Sequence, residues 1–571
     1  LCTRRARSSD ERPPWMFHLV AVHGAAAGPA SHETDRARFI GRGRGLHAPA
    51  AMRPGATLSG SQGSVLDPVA ATRRVITLEP GQTATIDIVY GAADSREACL
   101  ALAHKHVDRR LADRVLELAW THSQVILRQL NATEADAQIY ARLANSVVYS
   151  QPTLRADAAT LLRNRRSQSG LWGYAISGDL PIVLLQVSQA ANIELVRQLV
   201  QAHAWWRLKG LAVDLVIWNE ERDVYRQRLQ EQILGFIAGS IESHVVDRPG
   251  GIFVRHAEQI AVEDRVLLLA VARAVVSDRR GLLAEQVGLA PPPLPRRPPA
   301  LVPSRTAEPT VQPMMVPQPT PPPGQGLQFY NGSGGFSADG REYVIDSSAG
   351  QRPPAPWVNV IANPRFGTIV SEAGSSYTWC ENAHELRLSP WHNDPVCDGG
   401  GEVIYLRDEE TGQVWQPTAL PAQDEVDGAR AAGKFRCRHG FGYSAFEHEA
   451  FGIHSTLTVF VAMDAAVKFS QLVLHNRSER HRRVSATGYV EWVLGDLRAK
   501  TAPHIHTQRN PDHGALCASN HYSNDFGDWV AFYDVGNADR GTTSFSCDRS
   551  EFIGRNGALR QPVALRRQQL S

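Results

Sequence analysis

Two stretches of this chain, 513 residues apart, repeat each other without a gap. Asp35-Arg36 followed by FIGRGRGLHAPAAMR (Phe39–Arg53) aligns with Asp548-Arg549 followed by FIGRNGALRQPVALR (Phe552–Arg566). Asp, Arg, Phe, Ile, Gly, Arg, Leu, Pro and the final Arg recur in register. Self-similarity at that distance means one architecture used twice, so the chain holds the tail of one unit and most of a second. The arginines beside glycines read as turn-stabilising residues. GRGRG lacks the third glycine and the following helix of a dinucleotide fingerprint.

Between the two copies the chain changes character three times. VITLEPGQTATIDIVYG (Val75–Gly91) has β-branched runs on either side of a Pro80-Gly81 turn, and Thr83, Thr85 and Asp87 alternate with Ala84, Ile86 and Ile88 as in a half-buried strand. Asp94 or Ser95 with Glu97 then marks a helix start, and a helical period takes over. Amphipathic helices are predicted over 97–111, 112–130, 134–149, 193–209, 225–241 and 263–276, an all-α block. Within it NRRSQSGLWGYAISGDLPIVLL (Asn164–Leu185) is a glycine-rich aromatic loop. Its Trp172, Tyr174 and Asp179 suit either a sugar groove or helix packing around small residues, and Asp179 before Leu180-Pro181 is expected to cap a helix. From Ala290 to Gly326 prolines dominate, which predicts a semi-extended spacer.

The last part alternates as strands do: HSTLTVFVAM, KFSQLVLHN and RRVSATGYVEWVLG, with Asn476 to Glu479 expected as a hairpin connection between the last two. Upstream of these, Pro356–Asp408 sets Trp357, Tyr377, Trp379 and Trp391 among amides and carboxylates. A pyranose offers apolar C–H faces to an aromatic ring and hydroxyls to planar polar groups, so such a stretch suits a sugar. The same tryptophans would also serve as core.

In order along the chain, FYNGSGGFSADGREYVI, PWVNVIANPRFGTIVSEAGSSYTW, ENAHELRLSPWHNDP, EVIYLRDEETGQVW and YVEWVLG resemble the amino-terminal sandwich of the inverting disaccharide phosphorylases, family ninety-four of the glycoside hydrolases. The resemblance runs from Leu327 to about Arg567, and the large cyclic β-1,2-glucan synthases that carry such a module are similar also in the segment before it. It implies a multidomain β plus α chain: the end of a first sandwich (1–93), the helical block (94–289), the linker (290–326) and a second antiparallel supersandwich (327–571). In that family phosphate attacks the anomeric carbon while one aspartic acid protonates the leaving oxygen. That acid belongs to a helical barrel carboxy-terminal to the sandwich, so no residue here inherits the catalytic role.

The resemblance implies a carbohydrate-binding, non-catalytic portion of a β-glucan-processing enzyme. Its candidate glycan-facing residues are Trp379, Glu381, Asn382, Arg387, Trp391, Asn393 and Asp394. A scaffold or dimerisation sandwich with those aromatics buried is the alternative. Partners implied are a β-glucan oligosaccharide and, for the full-length parent alone, inorganic phosphate. A net charge of +2 creates no field that would gather nucleic acid. Neither cofactor nor metal is expected: the seven cysteines form no C-x-x-C pair, and His104/His106 and His504/His506 have no acidic cluster beside them. Scattered cysteines and the resemblance together imply a reducing, cytoplasmic setting, with the parent at the bacterial inner membrane. A start at Leu1 without a signal-type segment, and an end at RRQQLS, are expected of a fragment.

Overall fold

The computed structural model describes residues 1–221, 228–288, 297–306, 324–347, 352–421, 435–535 and 544–570. It divides into two compact units, Leu1–Thr133 and Glu134–Ser571.

In the first unit, strands β1 (Cys2–Thr3), β2 (Trp15–His23) and β3 (Thr85–Ala93) form an antiparallel sheet in that order. Between β2 and β3 lies the short helix α1 (Arg36–Ile40). After the sheet come α2 (Arg96–Lys105), capped by Ser95 as expected, and α3 (Arg109–Gln129). The alternation in β3 is real, but its faces are the reverse of the expectation. Ile86 is 48% and Ile88 66% exposed, whereas Asp87 is held inward by Arg109 at 3.0 Å.

The second unit opens with α4 (Glu134–Val148) and α5 (Ala158–Arg163), and then departs from the all-α reading. Four buried runs form a parallel sheet: β4 (Ile182–Val187), β5 (Asp214–Asn219), β6 (Ile252–His256) and β7 (Ala274–Ser277), in the order β6-β5-β4-β7. Helices α6 (Ile193–Leu208), α7 (Arg228–Ala238) and α8 (Val262–Val271) connect them. The expected helix over 263–276 therefore ends at Val271 and its last residues are a strand, and the expected helix start at Asp179-Leu180 leads into β4 instead. Strands covered on both faces carry continuous apolar runs, which lack the period-2 signature of a half-exposed strand. Leu184, Val216, Phe253, Leu267 and Val275 make the core of this α/β region.

The sandwich follows. Strands β8 (Gly334–Phe336) and β9 (Glu342–Ser347) open a six-stranded antiparallel sheet that β15 (Phe435–Gly440), β16 (Tyr443–Ala450), β17 (Ile453–Val461) and β18 (Lys468–Asn476) complete in that order. Against it lie β10-β11-β12 (Val358–Ala362, Phe366–Ser371, Ser376–Cys380) and the sheet β14-β13-β19, built from β13 (Glu402–Asp408), β14 (Val414–Trp415) and β19 (Val484–Val490). A further antiparallel sheet has β20 (His506–Arg509), β21 (Leu516–Ser519) and β22 (Val530–Tyr533) in order. Asn476–Glu479 is not a hairpin: β18 pairs with β17 and β19 with β13, so the chain changes sheet there. Ile345, Ile361, Phe366, Val370, Phe446 and Leu457 fill the space between sheets.

The second copy of the repeat forms α9 (Arg549–Ile553), packed by Phe552 and Ile553 on Val403, Tyr405 and Tyr489. Both copies build the same turn. Asp35 and Asp548 each cap the short helix that follows, and Gly41 and Gly554 end it at φ 86° and 92°, a backbone state that disfavours a side chain. The spacer lies largely outside the described residues, but its residues 297–306 run on the sandwich rather than free. Ala300 bridges to Arg567, and the Ser304 N–H donates to the Glu410 carbonyl at 2.9 Å.

Candidate functional site

Strand β12 sorts its side chains by alternation. Ser376, Thr378 and Cys380 point inward; Tyr377 and Trp379 point out. Gly367 on β11 stands opposite Trp379, and a Cβ there would collide with the indole, so the glycine lets the ring lie on the sheet. Tyr377 is the middle of an aromatic row: its ring centroid is 5.4 Å from that of Trp379 and 4.8 Å from that of Trp391, tilted by 35° and 36°. Tyr377 is buried beneath its neighbours, whereas Trp391 keeps 36% of its surface exposed. Trp391 is fixed from behind by a bridge to Gly400 and by Pro390 packed on Gly401, where no side chain would fit.

The polar candidates stand on the loops that frame this row. Glu381, at φ 57°, pairs with Arg365 at 2.5 Å. Asn382 accepts from the N–H groups of His384 and Glu385 at 2.8 and 3.0 Å. Arg387 donates to the carbonyls of Asp496 and Ala383 at 3.1 and 3.3 Å, and Asp394 accepts from the N–H groups of Val396 and Cys397, both at 3.0 Å. Asn382 and Asp394 brace their own loops, whereas Glu381 ties to the β10–β11 turn and Arg387 to the segment after β19. Asn393 is exposed, in the left-handed region at φ 48°. The structure thus brings together Trp379 and Trp391, through a tyrosine outside the candidate set, and spends most of the polar candidates on geometry.

Trp172, Tyr174 and Asp179 form a separate group on the loop before β4. Trp172 is 58% exposed and donates to Ser177 O at 3.3 Å. The Tyr174 hydroxyl donates to Asp264 at 2.9 Å, and Asp179 accepts from Gln168 at 3.0 Å. The loop docks on the sandwich: Gln168 N–H donates to Tyr522 O, and the Tyr522 hydroxyl to Gly178 O, each at 3.0 Å.

Sequence reasoning missed what lies on the inward face of β12. Glu402 from β13 meets Lys468 from β18 at 2.5 Å and accepts from Thr378 at 2.7 Å, from Ser376 at 3.0 Å and from Ser389. The ammonium also donates to Thr368 at 3.1 Å. Burial pushes the Glu402 carboxyl up, but Lys468 and the hydroxyls outweigh it and hold the acid below its ordinary range. Above it the Tyr533 hydroxyl, pushed up to about 12 by burial and by Glu402, packs where only a glycine, Gly488, leaves room. No motif marks a pair whose members are 66 residues apart; the alternation of small hydroxyls with aromatics in SYTWC was the available signal.

The fold is a multi-sheet antiparallel sandwich that carries an aromatic row on the outward face of one strand. The family model for the glycosyl hydrolase 94 supersandwich domain matches residues 1–109 and 341–571, in step with the two copies of the repeat, and the chain belongs to that family. It is 33% identical, over 576 aligned positions, to the cyclic beta-(1,2)-glucan synthase NdvB of Rhizobium meliloti (strain 1021), covering 99% of this chain and 20% of that protein. Similarity to the N,N'-diacetylchitobiose phosphorylase of Vibrio furnissii is 30% over 240 residues, 41% of this chain and 28% of that enzyme. For the solabiose phosphorylase of Paenibacillus borealis it is 28% over 240 residues, 40% and 29% of the two chains. The chain therefore spans about a fifth of the glucan synthase and under a third of either phosphorylase. Among the described residues no helix is long and apolar enough to cross a membrane.

Proposed function

We propose that the row Trp379–Tyr377–Trp391 is a glycan-contacting wall in a β-glucan-processing enzyme of the cyclic β-1,2-glucan synthase or inverting phosphorylase type. The observation that carries the reading is Trp391, presented edge-fixed and 36% exposed at the end of a stacked aromatic row. An indole held this way offers a flat face to sugar C–H groups without losing rotamer freedom on binding. The wall would serve a reactive centre on another domain of the parent, with phosphate a substrate there and the parent held at the cytoplasmic side of the inner membrane. By itself this chain releases no glucose 1-phosphate.

A second reading has its own support. Val358 and Val360 on β10 share the outward face and are 45% and 58% exposed, an apolar surface suited to docking a neighbouring domain or a second copy. Tryptophan fluorescence during titration with β-1,2-linked gluco-oligosaccharides separates the two. The glycan reading expects a saturable change in the wild type and in Val360→Asp, and none in Trp391→Ala with the fold intact. The docking reading expects no response to sugar in any of them.

A further inference from the structure

The chain order of the parallel sheet reverses between β4 and β7: it runs outward from β4 through β5 to β6, then returns to the other side of β4. Here a cavity of about 780 Å³ lies against Gln186 of β4 and Val275 of β7, closed on its other side by the segment Ser150–Leu161. That volume falls within the range of about 300–1,000 Å³ usual for small-molecule sites.

Its charge is one-sided. Arg155 and Arg280 line it, and Arg273 reaches Ser150 on its wall. Each guanidinium donates to neutral oxygens: Arg155 to the carbonyls of Ala270 and Pro503, both at 2.9 Å, Arg273 to the Ser150 hydroxyl, and Arg280 to the Val275 carbonyl. Among the described residues none of the three has a carboxylate partner, and Arg155 Nε is buried without an acceptor. The acid on the wall, Asp157, faces its own helix and accepts from the Thr160 N–H at 2.7 Å. Burial lowers the pKa of all three arginines, and Arg273 adds to the effect on Arg155. His504 reports the same field: burial, then the charges of Arg155 and Arg273, push its imidazole down to about 3. Arg155 and Arg273 are half-buried and Arg280 is exposed, so the two inner cations are the ones an anion would complete.

We propose that this cavity binds a phosphate-type oxyanion, inorganic or carried on a sugar. Guanidinium groups match such an anion in planar, bidentate geometry, and the surrounding Gln186, Ser150 and Thr160 suit the hydroxyls of a sugar attached to it. The site is independent of the aromatic row on β12.

Calorimetric titration of the whole chain with inorganic phosphate, glucose 1-phosphate and glucose tests the assignment. Both anions bind and glucose does not. Glucose 1-phosphate binding about tenfold tighter than phosphate identifies a sugar-phosphate site, and equal affinity identifies recognition of the phosphate alone. Arg155→Gln and Arg280→Gln each weaken the anion about tenfold. Arg155 also ties Pro503 to Ala270, so should its variant not fold, Arg280→Gln, at an exposed position, decides alone. No binding of either anion at about 10 mM, affinity unchanged in the arginine variants, or equal binding of glucose overturns the proposal.

Discussion

The sandwich and the α/β region treat charge in opposite ways. In the sandwich, Glu402 and Lys468 meet at 2.5 Å inside a shell of four hydroxyls, from Ser376, Thr378, Ser389 and Thr368. In the α/β region, Arg155, Arg273 and Arg280 surround a cavity and find neutral oxygens only. A fully satisfied pair is a structural joint between sheets; cations without counter-charge are an incomplete site. The aromatic row resembles the second case, since it too leaves a surface uncovered that a core would have closed.

The largest break in that contrast comes from Lys468→Ala. It strands the Glu402 carboxylate and is expected to cost about 3–5 kcal/mol in chemical denaturation, whereas Arg280→Gln changes stability by less than about 0.5 kcal/mol. Equal costs would erase the distinction between joint and site.

Acid sharpens it next. His448, stacked on Phe435 at 3.9 Å, is held down to about 4, chiefly by burial, and His504 to about 3. Unfolded histidine protonates near pH 6.5, so between about 6.5 and 4 the unfolded chain binds protons the folded chain refuses, and stability falls as pH falls through that window. Thermal melts in phosphate-free buffer follow this slope, and His448→Gln makes it shallower. Inorganic phosphate added at pH 5 restores part of the loss, because the anion binds the folded chain and not the unfolded one.

The helix caps come third. Asp548→Ala removes the acceptor for the Ser550 and Glu551 N–H groups, at 2.8 and 3.2 Å, and costs about 1 kcal/mol. Asp35→Ala, which loses the Ala37 N–H at 2.8 Å, costs a similar amount by local loss of helix.

The repeated turn was legible, though not the capped helix within it, because everything that makes it is local: an aspartate, a short apolar run and a glycine in register. The antiparallel strands were legible for the same reason, alternation being a property of neighbouring residues. The parallel sheet was not. IVLLQV, DLVIWN, IFVRH and AVVS are short apolar runs between helices, and whether such a run is a helix end or a doubly covered strand depends on partners that lie 32 to 91 residues away along the chain, as the Leu215–Val183 and Ala274–Val183 pairings illustrate. For the candidate site, residue types drew attention to Trp379 and Trp391, which the structure places on either side of Tyr377. They could not tell that Asn382 and Asp394 are consumed by backbone N–H groups two and three residues on, because an Asx-type turn and a hydroxyl acceptor use the same side chains.

The smallest stability effect carries the central claim. Trp391→Ala removes a partly exposed ring and shifts stability by less than about 1 kcal/mol, so its effect on glycan is read without loss of fold. Saturation-transfer NMR on a β-1,2-linked gluco-oligosaccharide is the direct measurement. If Trp391 is the wall, the axial C–H protons of one sugar face take up saturation in the wild type and lose it in Trp391→Ala. Transfer that is absent from the wild type, or that persists undiminished in the variant, contradicts the account.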